Sequence, residues 1–395
     1  MSEEGAARAG TPWSASVGAF LWPVAVLMLL YRLGQATGEA GADFQIIWPS
    51  VVAFVHGGAP YAPQVVPYTY PPGSLLLLSP LGFAGEHVAQ LAYVVLDWGT
   101  FIAAVGLTMR MFAARWSSAV MAGALVGLCL MSPFVSDLGL GNVNGPVFLA
   151  EAIGLQAAVQ GRWRVYGVVL GISLALKPAL AALLILPLLF GNVSGALVAF
   201  LTAVVLSALA VAYDHPAAQY LGNGLGAQLG AFAARERDLN IAIPGLLAAL
   251  HVPAILDWPL RLVVAAAGGF AVFVFWRQEA DRLRKVAWIS GVLVLVSILD
   301  FQLTSPNHGI YLFPMLASVV LPGSIMRHWV AGLGAYLAVS ADIWNTARAG
   351  HAGNVLLYHR PSFGFLLLLA AAVIPAVRLY RSSPGRPIRS TTAEL

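Results

Sequence analysis

The chain has 395 residues, 59% hydrophobic and only 10% charged, against roughly 25% charged in an average soluble domain. That composition excludes a soluble enzyme built around one large core. The formal net charge of +4 rests on 21 basic residues gathered in short loops, which reads as membrane topology and excludes a nucleic-acid surface. A single cysteine, Cys129, lies in an apolar run and excludes a disulfide framework.

Apolar runs recur along nearly the whole chain, and several approach the roughly 20 residues that cross a bilayer core. The fold class is therefore an all-α polytopic membrane protein, one integral membrane domain over 1–395, with about ten to thirteen membrane or half-membrane helices. The first span covers Ser14–Tyr31. A first external loop, about 33–73, opens on the polar stretch "RLGQATGEAGADFQ" and holds "FQIIWPSVVAFVHGG", an interfacial helix broken by Pro49. "APYAPQVVPYTYPP" then leads into "GSLLLLSPLGF", too short to cross.

Spans are expected at Val88–Met109 and Ala119–Phe134, followed by the polar loop "SDLGLGNVNG" and a span ending at "GRWR". Val165–Phe190 carries "LKPAL" at its centre and reads as a bent hairpin. Gly195–Ala212 precedes a long external loop, about 213–252. Further spans are expected at Arg261–Trp276, Val286–Leu303, Ile310–Leu321, Trp329–Ala341 and Phe363–Leu379, before a cytoplasmic tail of about 380–395. Basic clusters at 162–164, 282–285 and 378–389 mark the cytoplasmic side. They place Asp43, "SDLGLGNVNG", the 213–252 loop and "TSPNHG" on the opposite side. Arg110 and Arg115 fit only if the segment after Pro72 does not cross.

Seventeen acids are few enough to take by elimination. Glu236 and Asp238 alternate with Arg235 and Arg237, as a solvated or ligand-facing ion-pair cluster. Asp97, Glu151 and Asp300 fall within or beside apolar spans, where an acid is costly and usually serves a buried hydrogen bond or a cap. Asp43 precedes an apolar run, and N-capping is its plain explanation. Three features weigh against that. Tyr61 and "PYTYPP" form a rigid aromatic segment that suits the membrane interface, a sugar or a lipid headgroup. Lys177, one of two lysines, lies among apolar residues, where it snorkels, pairs with Glu151, or meets a lipid phosphate. His308 stands beside Asn307 between two apolar segments, a structural position or one suited to holding an anion or moving a proton.

This pattern resembles glycosyltransferase family 87 of the GT-C superfamily, over roughly residues 14–380. The resemblance is carried by Asp43 in the first external loop, "YTYPP", "GNVNG", "GRWRVYGVVLGISLALKP", "LNIAIPGLL" and "SPNH", in that order. The chain departs from the family at Asn142, where a glutamine is common, and in "SPNHG", which lacks the aromatic near the histidine. The resemblance implies a GT-C helical bundle with external interfacial helices. It implies Asp43 as catalytic base, and His308 and Lys177 as donor-phosphate ligands. Tyr68, Tyr70 and Asn142 are its expected pocket residues, and the residue-level reading adds Asn307, Arg235 and Arg237 as pocket candidates.

The implied reaction transfers a hexose, most often mannose, from a polyprenyl-phosphate sugar to a membrane glycolipid or envelope glycan. The implied location is the bacterial inner membrane, with the site facing the periplasm. No metal or other cofactor is expected, since no Asp-X-Asp triplet occurs in an external loop and a phosphate monoester leaves without acid assistance. The competing readings are a transporter or lipid flippase, with Lys177, Glu151 and Asp300 along its path, and a non-catalytic envelope-assembly subunit.

Overall fold

The computed structural model describes residues 12–37, 41–62, 68–223, 240–301, 304–340 and 357–382. Among these, five helices are long and apolar enough to cross a bilayer: Ser16–Ala36, Glu86–Met111, Val193–Tyr213, Ala254–Gln278 and Arg360–Ser382. Around them pack shorter apolar helices, so the all-α polytopic class holds.

The long α1 (Pro12–Ala36) leads to the interfacial α2 (Phe44–Val55). The next piece, α3 (Pro72–Leu78), starts at a proline whose missing N–H costs nothing there, and a 3₁₀ turn at Ser79–Phe83 ends it. Twelve residues in this tight form do not cross. The following α4 (Glu86–Met111) therefore starts on the side where α3 began.

The expected span Ala119–Phe134 is two helices, α5 (Ala119–Leu130) and α6 (Ser132–Leu140), parted at Met131 with Pro133 in the first turn of α6. The stretch read as a polar loop is thus mostly helix. Gly141 closes α6 in the left-handed conformation (φ 69°), and Asn144 already opens α7 (Asn144–Val159).

The bent hairpin expected at 165–190 is present. α8 (Trp163–Leu176) stops at Lys177, whose backbone is extended ahead of Pro178. A 3₁₀ segment (Pro178–Leu184) and α9 (Ile185–Leu189) then return. The return is fixed by the Tyr166 hydroxyl donating to the Leu183 carbonyl (2.6 Å) and by the Trp163 and Phe190 rings meeting at 5.1 Å. Fourteen residues of α8 rise about 21 Å, and the return limb falls by about as much. The hairpin enters the apolar layer without crossing it, with Lys177 at its tip.

α10 (Val193–Tyr213) lies parallel to α8, spanning about 31 Å with its 21 residues. "GVVLG" allows this closeness. A Cβ on Gly167 would sit 2.5 Å from the Gly195 carbonyl oxygen, and one on Gly171 2.5 Å from that of Ala199.

The remaining elements are α11 (Ile243–Ala249), α12 (Asp257–Gln278), α13 (Arg282–Asp300), α14 (Phe313–Ala317), α15 (Trp329–Val339) and α16 (Arg360–Ser382). α13 is buried on every side from Val286 to Leu295 and forms the centre of the bundle. The expected span Ile310–Leu321 is not one helix. It breaks into a 3₁₀ helix (Pro306–Leu312), α14 and a 3₁₀ turn (Ser318–Val320). Its apolar residues are covered by protein, with Ile310, Leu312 and Met315 fully buried, so apolarity there reports core packing.

The basic loops at 161–164 and 282–284 meet at one end, whereas Arg261 lies at the other, on Asp300 at the far end of α13. Arg282 donates to the Ala158 carbonyl (2.9 Å) and lies over Trp163 and Phe190. α4 runs parallel to α7, because the Gly145 N–H donates to Asp97 Oδ1 (2.9 Å) and Phe101 meets Phe148 further along. That carries Arg110 to the same end. Lys177 and Asn144 lie at the other, about 21–24 Å away by the lengths of α8 (14 residues) and α7 (16 residues).

Candidate active site

At the end away from Arg282, polar side chains from α6, α7, the hairpin tip, the first external loop and the Pro306–Leu312 helix converge. The loop at Asp43 docks on the end of α6, with the Asp43 N–H donating to the Leu140 carbonyl (2.9 Å). Gly41 and Gly141 permit this approach, since a Cβ on either would run into the opposing segment.

Asp43 stands at the N-cap of α2, yet its side chain makes no capping bond. Instead its Oδ2 accepts from Asn142 Nδ2 (2.5 Å). Asn142 Oδ1 accepts from Lys177 Nζ (3.0 Å) and from the Val143 N–H (2.8 Å). Lys177 Nζ also donates to Asn144 Oδ1 (2.7 Å). Asn144 Oδ1 takes a further bond from the Tyr311 hydroxyl (2.5 Å), and its Nδ2 donates to Asp137 Oδ1 (2.5 Å). One connected line thus runs from Asp43 to Asp137 through two amides and an ammonium.

The line explains how a lysine is tolerated at a buried tip. Its ammonium gives two protons to amide oxygens and sits 5.8 Å from the centre of the Tyr70 ring. Among the described residues no third acceptor bonds this ammonium. Lys177 does not pair with Glu151; its acid neighbours are Asp137, Asp43 and Asp97. Burial pushes the Asp43 carboxyl above the usual aspartate range, and the Asn142 amide and the Lys177 ammonium pull it part of the way back.

His308 is half-buried, and its Nε2 is enclosed without a hydrogen-bond partner. It lies within electrostatic reach of Lys177 and stacks on Tyr311 at 6.0 Å and 20°. The aromatic absent from "SPNHG" is thus supplied three residues later. Asn307 points into the network, Nδ2 donating toward Asp137 Oδ1 (3.4 Å) and Oδ1 accepting from the Ser305 hydroxyl.

Tyr70 faces Lys177, whereas Tyr68 stands one ring behind it, 1% exposed, its hydroxyl bound to Ser74 (2.6 Å). Tyr61 backs Tyr68 in turn (5.6 Å). Tyr61, Tyr68 and Tyr70 therefore form a stacked set of rings that presents one of them, Tyr70, to the site. Arg235 and Arg237 lie outside the described residues.

Sequence reasoning named Asp43, Asn142, Lys177, Asn307 and His308, kept Asp137 among the acids of interest without a role, and omitted Asn144 and Tyr311. The signal for Asn144 was its position two residues after Asn142 in "GNVNG". Asp300 takes the ordinary role weighed for it, binding Arg261 (2.9 Å). Among the described residues no group of three or more His, Cys, Asp or Glu is arranged to hold a metal ion.

Two comparisons bear on this arrangement. The sequence profile of Glycosyltransferase family 87 matches residues 68–299. An alpha-(1->3)-arabinofuranosyltransferase of Mycobacterium tuberculosis is 30% identical over 376 residues, 92% of this chain and 86% of the relative. Proteins of the same name from Mycolicibacterium smegmatis and Corynebacterium glutamicum are 28% and 25% identical, covering 92% and 95% of this chain and 86% and 92% of their own. No solved structure matches.

Proposed function

We propose that this chain, which belongs to glycosyltransferase family 87, moves an arabinofuranosyl residue from a polyprenyl-phosphate donor to an envelope glycan, at the membrane face opposite its arginine-rich end. By the positive-inside rule we read that face as the periplasmic side of a bacterial inner membrane. Membrane glycosyl transfer follows from the family. The sugar is our reading, and it replaces the mannose expected from sequence because three relatives carry an arabinofuranosyltransferase name.

The observation that carries the mechanism is the Asp43–Asn142–Lys177 line. Asp43 Oδ1 takes the proton of the acceptor hydroxyl as that oxygen attacks the anomeric carbon. The Asn142 amide, fixed on Oδ2, holds the carboxylate in place. On the opposite face the C–O bond to the phosphate breaks, and the spare proton of Lys177 and the unpartnered Nε2 of His308 meet the departing charge. A single displacement inverts the anomeric carbon, so an α product, as in the relatives' name, calls for a β-linked donor.

The test is a transfer assay with purified protein, a β-linked polyprenyl-phosphoryl arabinofuranose, an arabinan oligosaccharide and EDTA. Transfer is expected with this donor and not with its mannose counterpart or a nucleotide sugar. Preference for the mannose donor would remove the arabinofuranosyl assignment. Activity restored only by added Mg²⁺ or Mn²⁺ would remove the metal-free mechanism.

A further inference from the structure

We propose that Asp137 is a positioning residue for phosphate capture: one oxygen of its carboxylate sets the sense of two asparagine amides, and through them the placement of Lys177 and His308. The inference rests on the reading of those two residues as donor-phosphate ligands.

Asp137 is fully buried, and its Oδ1 is the shared acceptor for Asn144 Nδ2 (2.5 Å) and Asn307 Nδ2 (3.4 Å). A side-chain amide has one donor end and one acceptor end, and burial demands that both be matched. An ammonium is a donor alone, so Asn144 holds Lys177 only while it turns Oδ1 toward Nζ. That orientation sends Nδ2 to the far side, where a hydrogen-bond acceptor must wait. Asp137 Oδ1 is that acceptor. Without it, Nδ2 is left buried and unmatched, and the amide turns away from the ammonium to find water or a carbonyl.

Asn307 answers to the same oxygen and immediately precedes His308, so two segments far apart in the chain are registered on one atom. The backbone beneath is fixed separately, because Asp97 Oδ1 holds the N–H of Gly145, the residue after Asn144. The second oxygens, Asp97 Oδ2 and Asp137 Oδ2, are buried without a hydrogen-bond partner.

The experiment measures binding of a sugar-free polyprenyl monophosphate to the purified full chain in lipid nanodiscs, with thermal melting as the folding control. Lys177→Ala should weaken binding about 10-fold or more, and Asp137→Leu by a similar factor. Asp137→Asn, which keeps an acceptor oxygen, should stay within about 3-fold of the parent. Asn144→Asp turns a carboxylate toward Asp137 and should bind weakly. The double change Asp137→Asn with Asn144→Asp restores a donor facing an acceptor at position 144 but takes the acceptor from Asn307 Nδ2, so it should recover binding in part, above Asn144→Asp alone and below the parent. Parent-like binding by Asp137→Leu beside a weakened Lys177→Ala overturns the inference and leaves the phosphate reading standing. Binding indifferent to Lys177→Ala overturns that reading and the inference with it. Where Asp137→Leu fails to fold, a double variant no better than Asn144→Asp alone overturns the inference.

Discussion

Asp43 carries the sharpest consequences at the residue scale. Its carboxylate is committed to Asn142 on one oxygen and leaves the other for a proton. Asp43→Asn preserves size but accepts no proton at neutral pH, so turnover should fall by about 10²-fold or more with unchanged melting. A well-folded variant that keeps its rate would remove the base. The pH profile gives a second check. The base works ionised, so protonation abolishes it, and burial raises its pKa above the ordinary 3.8. The acid limb of kcat/KM should therefore lie above that value, with activity falling as pH drops through it. Asn142→Leu deletes a bond that favours the ionised form, so its acid limb should move to still higher pH; an unmoved limb would separate Asn142 from the base. Asp43 was legible because it is a lone acid ahead of an interfacial helix. Tyr311 was not, because nothing in a linear sequence announces that a tyrosine 167 residues after Asn144 donates to its side-chain oxygen.

At the level of elements, the hairpin at 163–189 was visible in "LKPAL", where a proline and a cation interrupt an apolar run too long for one limb and too short for two crossings. The break between α5 and α6 was hidden, since Pro133 sits inside an unbroken apolar stretch. The segment 310–321 misled for a related reason: apolar residues facing protein look like apolar residues facing lipid. The α8–α10 contact rests on Gly167 and Gly171, where the backbone of α10 lies 2.5 Å from where a side chain would begin. Gly171→Val should force these helices apart and destabilise the protein by about 1–3 kcal/mol. Because Lys177 ends α8, donor binding should weaken as well. Thermal melting and polyprenyl-phosphate binding report the two effects, and parent-like values in both would show that the helices are not held at this distance.

For the whole molecule, the separation of the arginine-rich end from the site makes a prediction about sidedness. The native Cys129 is buried, so single cysteines introduced elsewhere can be labelled against a quiet background. Gly57 and Gly191 are both exposed, Gly57 after the interfacial α2 and Gly191 at the base of the hairpin beside Phe190. In intact cells stripped of their outer layers, a membrane-impermeant thiol reagent should label Gly57→Cys and spare Gly191→Cys until the membrane is opened. The reverse pattern would place the site on the other face.

The hairpin also fixes an order of assembly during synthesis. Asp43, Asp137, Asn142 and Asn144 leave the ribosome before Lys177, so the ammonium reaches the apolar layer with its amide acceptors already made. Tyr311 and Asn307 arrive more than a hundred residues later and close a network that is otherwise standing. The ammonium thus enters the apolar layer after its acceptors in the sequence, and Asn307 and Tyr311 complete the network last.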